Sequence, residues 1–500
     1  MNVIGKIIKV LMLMAACAAV AWATMYLFFE GFYLGVLNYF EETVGKKNVQ
    51  EEIVVVEPSY MVGLEPTIFD PFTRQRLNNV YESLVRSDED LNMKPCLAKS
   101  WGILDDLTWE FNLRKNVKFH DGSEFNADDV ISSIDLVKDF LATIDKVEKI
   151  DDFTIQIKTK TPDPILISKL AMVYIGTDGI GTGPYKISQY SAKKGELDLE
   201  AFADYWGDKP LYKKAKFLTI TDKNKRLKSL TDGTADILDY VPYDLAGGLD
   251  KEKFEIFAMP SLEVQFLGFN FKSEIFKDLK NRITVLNAID KAEFAEFVGG
   301  EYVKPVDQFV SSGVFGYNPE IEEAEGSSSP DKDCLEKDCL DQGAELNLAD
   351  LLGKTVRIIL PFGSNALGEY LTKSFGEIGV KTSIQYVKGE YFEKTLKKVK
   401  YDMYFMGFKS ELGDAGDFLK SIGQFNFGNY SNEKVAELIE KQEVEMKPKE
   451  RLKYLQEAMK ILVSDDVFGV PLFEYETLVA AKKGIDFSPR IDGFIYLNDL

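Results

Sequence analysis

Histidine is almost missing from this chain: 500 residues contain one, His120. Ser–His and Cys–His nucleophilic catalysis therefore have a single candidate base, and a metal site built on imidazole has a single candidate ligand. No Gly-x-Ser-x-Gly elbow and no His-Glu-x-x-His pair occurs. Cysteine is scarce as well, with four residues at Cys17, Cys96, Cys334 and Cys339. A zinc site at the close pair Cys334/Cys339 would need two further Cys or His ligands, which the chain does not place nearby. Positive charge is in deficit: 60 Lys and Arg stand against 81 Asp and Glu, for a formal charge of -21. Such a chain repels nucleic acid, and nucleic-acid partners are excluded. The glycines of GTGPY (181–185) do not form a phosphate loop, because no Gly-Lys-Ser/Thr follows them. Acidic residues are so common that any two make a nominal glycosidase pair, so their abundance does not point to hydrolysis. The expectation is a protein that is no enzyme and carries no cofactor or metal.

What is present begins at the N-terminus. Residues 10–29, VLMLMAACAAVAWATMYLFF, hold no charged side chain, which is long enough to span a bilayer. Lys6 and Lys9 precede the run and Glu30, Glu41 and Glu42 follow it, so the positive-inside rule puts the rest of the chain outside the cytoplasm. A retained transmembrane anchor is the expectation, in residues 1–47 with the juxtamembrane segment. A cleaved signal peptide is the competing reading, and Cys17 in MAAC the corresponding lipidation candidate. An extracytoplasmic location suits a disulfide between Cys334 and Cys339, which lie in an acidic, Ser-rich surface insertion near 320–350.

The body reads as mixed α and β, with no internal repeat. IVVVEPS from residue 53, DDFTIQIKTKTP from 151, KAKFLTITD from 214 and ADILDYVP from 235 have the β-branched or alternating composition of short strands. LTWEFNLRKNVKFHDG (107–122) reads as one strand ending on a Gly turn. In FNADDVISSIDLVKDFL, Asn126 caps a helix whose first turn carries Asp128 and Asp129. From Gly353 the strand KTVRIILPF, the helix NALGEYLTKSFGEIGV, the strand TSIQYV and the helix YFEKTLKKV alternate as in an α/β lobe. The strand YDMYFMGF, the helices NEKVAELIEKQEVEM and PKERLKYLQEAMKILVSD and the strand VFGVPLFEY follow.

Several segments occur in an order that resembles the family 5 extracellular solute-binding proteins, the peptide, dipeptide and nickel class. They are LEPTIFDPFTRQRLNNVYESLV with PCLAKSW, then WEFNLRKNVKFHDGSEFNADDVISSI, the most specific, then GTGPYKI, DYWGDKP, LTDGTADIL, FLGFNF, IDKAEF and VPLFEY. The resemblance runs from about residue 53 to about residue 475. It implies an α/β, periplasmic-binding-protein-like clam of two lobes with an additional domain and a ligand cleft between the lobes. Lobe I would take 48–265, with the extra domain inserted at about 85–175. Lobe II would take 266–484, and 485–500 would return to lobe I.

The resemblance further implies a monomeric solute-binding component of an ABC importer. It would capture a short peptide by hinge closure, deliver it to the permease subunits, and be tied to the membrane by the N-terminal helix. A receptor without a transport partner, or a binder of a metal chelate or sugar, is the alternative. Family members hold the peptide amine with an acid in a loop similar to MGFKSELGDAGDFLKS, which carries over to Asp414, with Asp417 as its rival. Many members have Pro after that acid, where this chain has Ala415. Phe408, Phe269 and Asn270 are further ligand-binding candidates, each with a structural role as its alternative. Tyr205, Trp206 and His120 read as packing and turn residues.

Overall fold

The computed structural model describes residues 50–321 and 348–500. The apolar run at 10–29, with Cys17, and the Cys334/Cys339 pair lie outside the described residues. Among those described, no helix is long and apolar enough to cross a membrane.

The strands in chain order are β1 (Gln50–Glu57), β2 (Val85–Ser87), β3 (Met93–Pro95), β4 (Ala98–Asp105), β5 (Thr108–Leu113), β6 (Ile144–Asp151), β7 (Thr154–Thr159), β8 (Tyr185–Ser191) and β9 (Glu196–Ala201). They continue with β10 (Tyr212–Thr219), β11 (Ile237–Leu238), β12 (Phe254–Phe269), β13 (Val303–Pro305), β14 (Thr355–Pro361), β15 (Lys381–Val387), β16 (Met403–Lys409) and β17 (Gly469–Lys482). The large sheet runs β15-β14-β16-β12-β17-β11-β1-β10-β9-β8. β1 is parallel to β10 and β11, and its apolar run places Ile53, Val55 and Val56 in the core. β4, β5, β7 and β6 form a separate antiparallel sheet. The helix Ala127–Leu136 packs with that sheet, and Asn126 closes a capping box with Asp129 at its start.

Two strands join the halves of the large sheet. β12 and β17 pair antiparallel from Phe254↔Lys482 to Gly268↔Gly469. Near one end β17 also pairs with β11, and the far part of β12 pairs with β16. Between Pro260 and Val264 the β12–β17 ladder slips. There Leu262 adopts φ 59°, a left-handed conformation that is uncommon for a bulky side chain. The Glu474 carboxylate fills the gap, accepting from the Leu262 N–H and the Ser311 hydroxyl, both at 2.9 Å. Burial pushes its carboxyl up to about 6.

Apolar side chains gather on either side of this crossing. Phe217, Tyr185, Leu77 and Val479 share one core with Ile495, Leu497 and Leu500 of the C-terminal segment. Trp109, Phe111, Phe125 and Ile155 centre another. Beyond the crossing, Phe266 meets Phe309 and Phe418 edge to face, Phe309 and Phe418 stack, and Phe269, Phe294, Ile358 and Phe405 form a neighbouring core.

Two elements differ from the sequence expectation. The strand at 107–122 stops at Leu113, because Asn116 takes φ 61° and the chain turns away from the ladder. ADILDYVP keeps only two strand residues, Ile237 and Leu238, before Tyr240 at φ 52° and Pro242 end it.

Candidate functional site

A cavity of about 120 Å³ opens between the first half of the molecule and the loop that follows β16. Its first wall is the short helix Pro71–Leu77. Pro71 occupies its first turn, and Asp70 caps it by accepting from the Thr73 N–H at 2.8 Å and the Thr73 hydroxyl at 2.6 Å. Arg74 and Asn78, four residues apart and so on one face, border the cavity from this helix and its C-cap. Aromatic rings complete the wall: Phe69, Tyr174, Tyr205, Phe494 and Tyr496.

Glu82 also borders the cavity, yet its carboxylate is engaged. It accepts from Trp206 Nε1 at 2.8 Å, Thr182 Oγ1 at 2.8 Å and Tyr205 OH at 3.1 Å. Burial raises its carboxyl above the usual range. Tyr205 and Trp206 thus act as structural donors that fix a buried acid. His120 is also structural: Nε2 donates to the Gly183 carbonyl at 3.0 Å and Nδ1 accepts from the Gly181 N–H at 3.3 Å, fastening the GTGPY turn. Cys96 is buried on the same side, with its thiol pushed up by that burial. Among the described residues no group of three or more His, Cys, Asp or Glu is arranged to hold a metal ion.

The opposite wall comes from Leu262 at the strand crossing and from Lys409, Glu411 and Leu412. The loop carrying Glu411 is tightly fixed. The Ser410 N–H donates to the Leu262 carbonyl, Gly413 turns the chain at φ 66°, and Phe315 and Gly413 to Ala415 exchange backbone hydrogen bonds of 2.9 and 2.8 Å. The two walls touch, since Leu91 of the first packs on the apolar cluster behind the second.

None of the five sequence candidates borders this cavity. Asp414 is 4% exposed; it caps the helix Ala415–Phe425 through the Gly416 N–H at 2.8 Å and receives the Arg451 guanidinium at 2.5 and 2.7 Å. These three bonds hold the loop in place. Asp417 is in the first turn of the same helix. Burial and the adjacent Asp414 charge push its carboxyl up to about 7, against the Leu412 N–H, Lys169 and Arg451. Lys169 belongs to the first wall's side, where it pairs with Asp163 at 2.7 Å, so Asp417 faces across the junction. Phe408 packs on Phe418 with ring centroids 5.3 Å apart and borders a separate apolar cavity behind the loop. Phe269 is fully buried against Phe276. Asn270 donates to the Tyr401 carbonyl at 2.9 Å and accepts from the Lys272 N–H at 3.1 Å, fixing the chain after β12.

The residues that do border the cavity, Arg74, Asn78 and Glu411, were not singled out from sequence. The four-residue spacing of Arg74 and Asn78 in TRQRLNN was the available signal. Glu411 is three positions before the acid chosen, and its exposure to the cavity depends on the turn at Gly413.

The chain was compared with known proteins. Residues 92–429, more than half of it, match the family model for bacterial extracellular solute-binding proteins, family 5 middle. The dipeptide-binding protein of Escherichia coli K12 is 25% identical over 407 residues, covering 71% of this chain and 74% of that protein. Heme-binding protein A of Haemophilus influenzae is 23% identical over 512 residues, with 91% of each chain covered. The solved structure of HbpA2 from Haemophilus parasuis superimposes with a TM-score of 0.78 at 21% identity, over 90% of this chain and 99% of that one. The fold is accordingly the mixed α/β periplasmic-binding-protein fold. The chain belongs to the family 5 bacterial extracellular solute-binding proteins, non-enzymatic proteins that present a solute to an ABC importer from outside the cytoplasm.

Proposed function

We propose that this protein captures short peptides in the cleft between its two halves and hands them to its permease. The free N-terminal amine of the peptide is held by Glu411, and Asp414 and Arg451 keep the Glu411 loop in place. Closure is a rotation about the β12–β17 crossing, where the ladder already slips and only two chain segments connect the halves. The uncharged run at 10–29 tethers the body to the outer face of the membrane.

The observation that carries this reading is the cavity itself. It is walled by both halves, and it presents Glu411, which has no ion pair among the described residues, on one side and aromatic rings on the other. A chain of amides with an amine at one end fits those walls. The single histidine is engaged in the GTGPY turn and does not border the cavity, which disfavours a solute bound through imidazole-ligated metal.

The test is calorimetric titration of the full-length protein, stripped of carried ligand, with di- to pentapeptides and with their N-acetylated forms. Binding that falls at least tenfold on acetylation, about 1.4 kcal/mol, and equally in Glu411→Gln, is the expected result. Equal affinity for acetylated and free peptides, or no peptide binding, overturns the reading.

A further inference from the structure

Four of the buried arginines described meet carboxylates, Arg226 is bound instead by the Ile220, Thr221 and Tyr240 carbonyls, and Arg74, on the cavity wall, meets no carboxylate among the described residues. Arg76 reaches Glu57 at 2.9 Å, Arg282 reaches Asp466 at 3.2 Å, Arg451 reaches Asp414 at 2.5 Å and Arg490 reaches Asp492 at 2.6 Å. Arg74, two residues before Arg76 on the same short helix, is 3% exposed and has no carboxylate within ion-pair distance among the described residues. Its Nε and Nη1 are buried with no hydrogen-bond partner among the described residues. The guanidinium is held in place by stacking, 4.2 Å from the ring centroid of Tyr174 and 5.5 Å from that of Phe69.

One turn on, Asn78 is 4% exposed and repeats the pattern. Its Oδ1 accepts from Asn79 Nδ2 at 2.7 Å, which fixes the amide orientation, and its own Nδ2 has no acceptor among the described residues. Both residues border the same cavity. A buried charge without a counter-charge is strongly unfavourable, as is a buried donor without an acceptor. Here three donor atoms share that condition on one helix face, beside the cavity.

We infer that Arg74 and Asn78 form a carboxylate-binding subsite, the cationic counterpart in the first wall of the Glu411 acid in the second. This rests on the reading of the cleft as a peptide site and adds to it that the bound solute carries a free carboxylate. The planar guanidinium accepts a carboxylate in a two-bond fork, and the Asn78 amide supplies a further donor. The ligand class is then amine at one end and carboxylate toward the other. The carboxylate comes either from the peptide C-terminus or from an acidic side chain.

Calorimetry on the full-length protein separates these cases with four probes: trialanine, trialanine amide, Ala-Glu-Ala amide and glutarate. The wild type is expected to bind trialanine, Ala-Glu-Ala amide or both at least tenfold tighter than trialanine amide. Trialanine leading identifies the C-terminus; Ala-Glu-Ala amide leading identifies a side chain. In Arg74→Met, which keeps the stacking length, that preference is expected to vanish, while Arg74→Lys keeps part of it. The unliganded Arg74→Met protein is expected to melt at or above the wild-type temperature, because an uncompensated cation has been removed. Equal wild-type affinity for the free acid and both amides overturns the subsite, as does an Arg74→Met protein that retains the preference or melts well below wild type. If no peptide form binds, the peptide reading falls by itself. The subsite then stands on Arg74-dependent binding of glutarate and falls without it.

Discussion

Asp414 and Arg451 lie 37 residues apart in the chain and exchange two hydrogen bonds in an environment where both side chains are about 5% exposed. A buried pair of this kind stabilises little in net terms, because desolvation offsets the attraction, but removing one partner strands the other. Arg451→Ala is therefore expected to lower stability by about 3–5 kcal/mol, read as a shift in urea midpoint at unchanged slope. It should also weaken peptide binding, since Asp414 would no longer fix the Glu411 loop. Asp417 gives a pH signature. Its folded carboxyl titrates at about 7 instead of the ordinary 3.8, so between those values the folded state holds a proton that the unfolded state has lost. Stability attributable to Asp417 thus falls as pH rises from about 4 to about 7 and is flat above. The difference in stability between Asp417→Asn and wild type should grow in the variant's favour over that window when melting is followed against pH; a difference independent of pH contradicts the shift. Sequence drew attention to Asp414, which the structure pairs with Arg451, and not to Glu411, which borders the cavity. The reason is physical: whether an acid faces a ligand or an arginine depends on a partner distant in sequence, and nothing in SELGDAGD reveals Arg451.

The elements most legible in sequence were those whose signals are local. Asn126 caps its helix as read from NADD, the structure adding the reciprocal bond from Asp129, and the alternation of TIQIKT appears as the in-out burial of β7. What was not legible is the length of β12 and β17, 16 and 14 residues, because strand composition does not show that one strand serves two halves of a molecule. Their slip at Ser261 to Glu263 depends on Glu474, which supplies the acceptor that the ladder lacks. Glu474→Ala leaves the buried Leu262 N–H without a partner and should cost about 1–3 kcal/mol in chemical denaturation. Hydrogen exchange at Leu262 should accelerate in the same variant; exchange unchanged there would show that the crossing is held by other means.

At the scale of the whole molecule, two sets of cores meet along a cleft that Glu411 and Lys409 border from one wall and Arg74, Glu82, Arg86 and Asp492 from the other. The order of short motifs was enough to place the chain in its family, since many weak matches in sequence constrain one topology. The pairing of charges across the cleft was not readable in that way, because it requires both walls to be in position at once. The account centres on a peptide lying between these walls. A crystal structure of the protein grown with saturating trialanine tests that most directly. The account predicts peptide density in the cavity with the amine on Glu411 and the carboxylate turned toward Arg74 and Asn78. Peptide bound outside the cleft, or a cleft that remains without peptide at saturation, would contradict it.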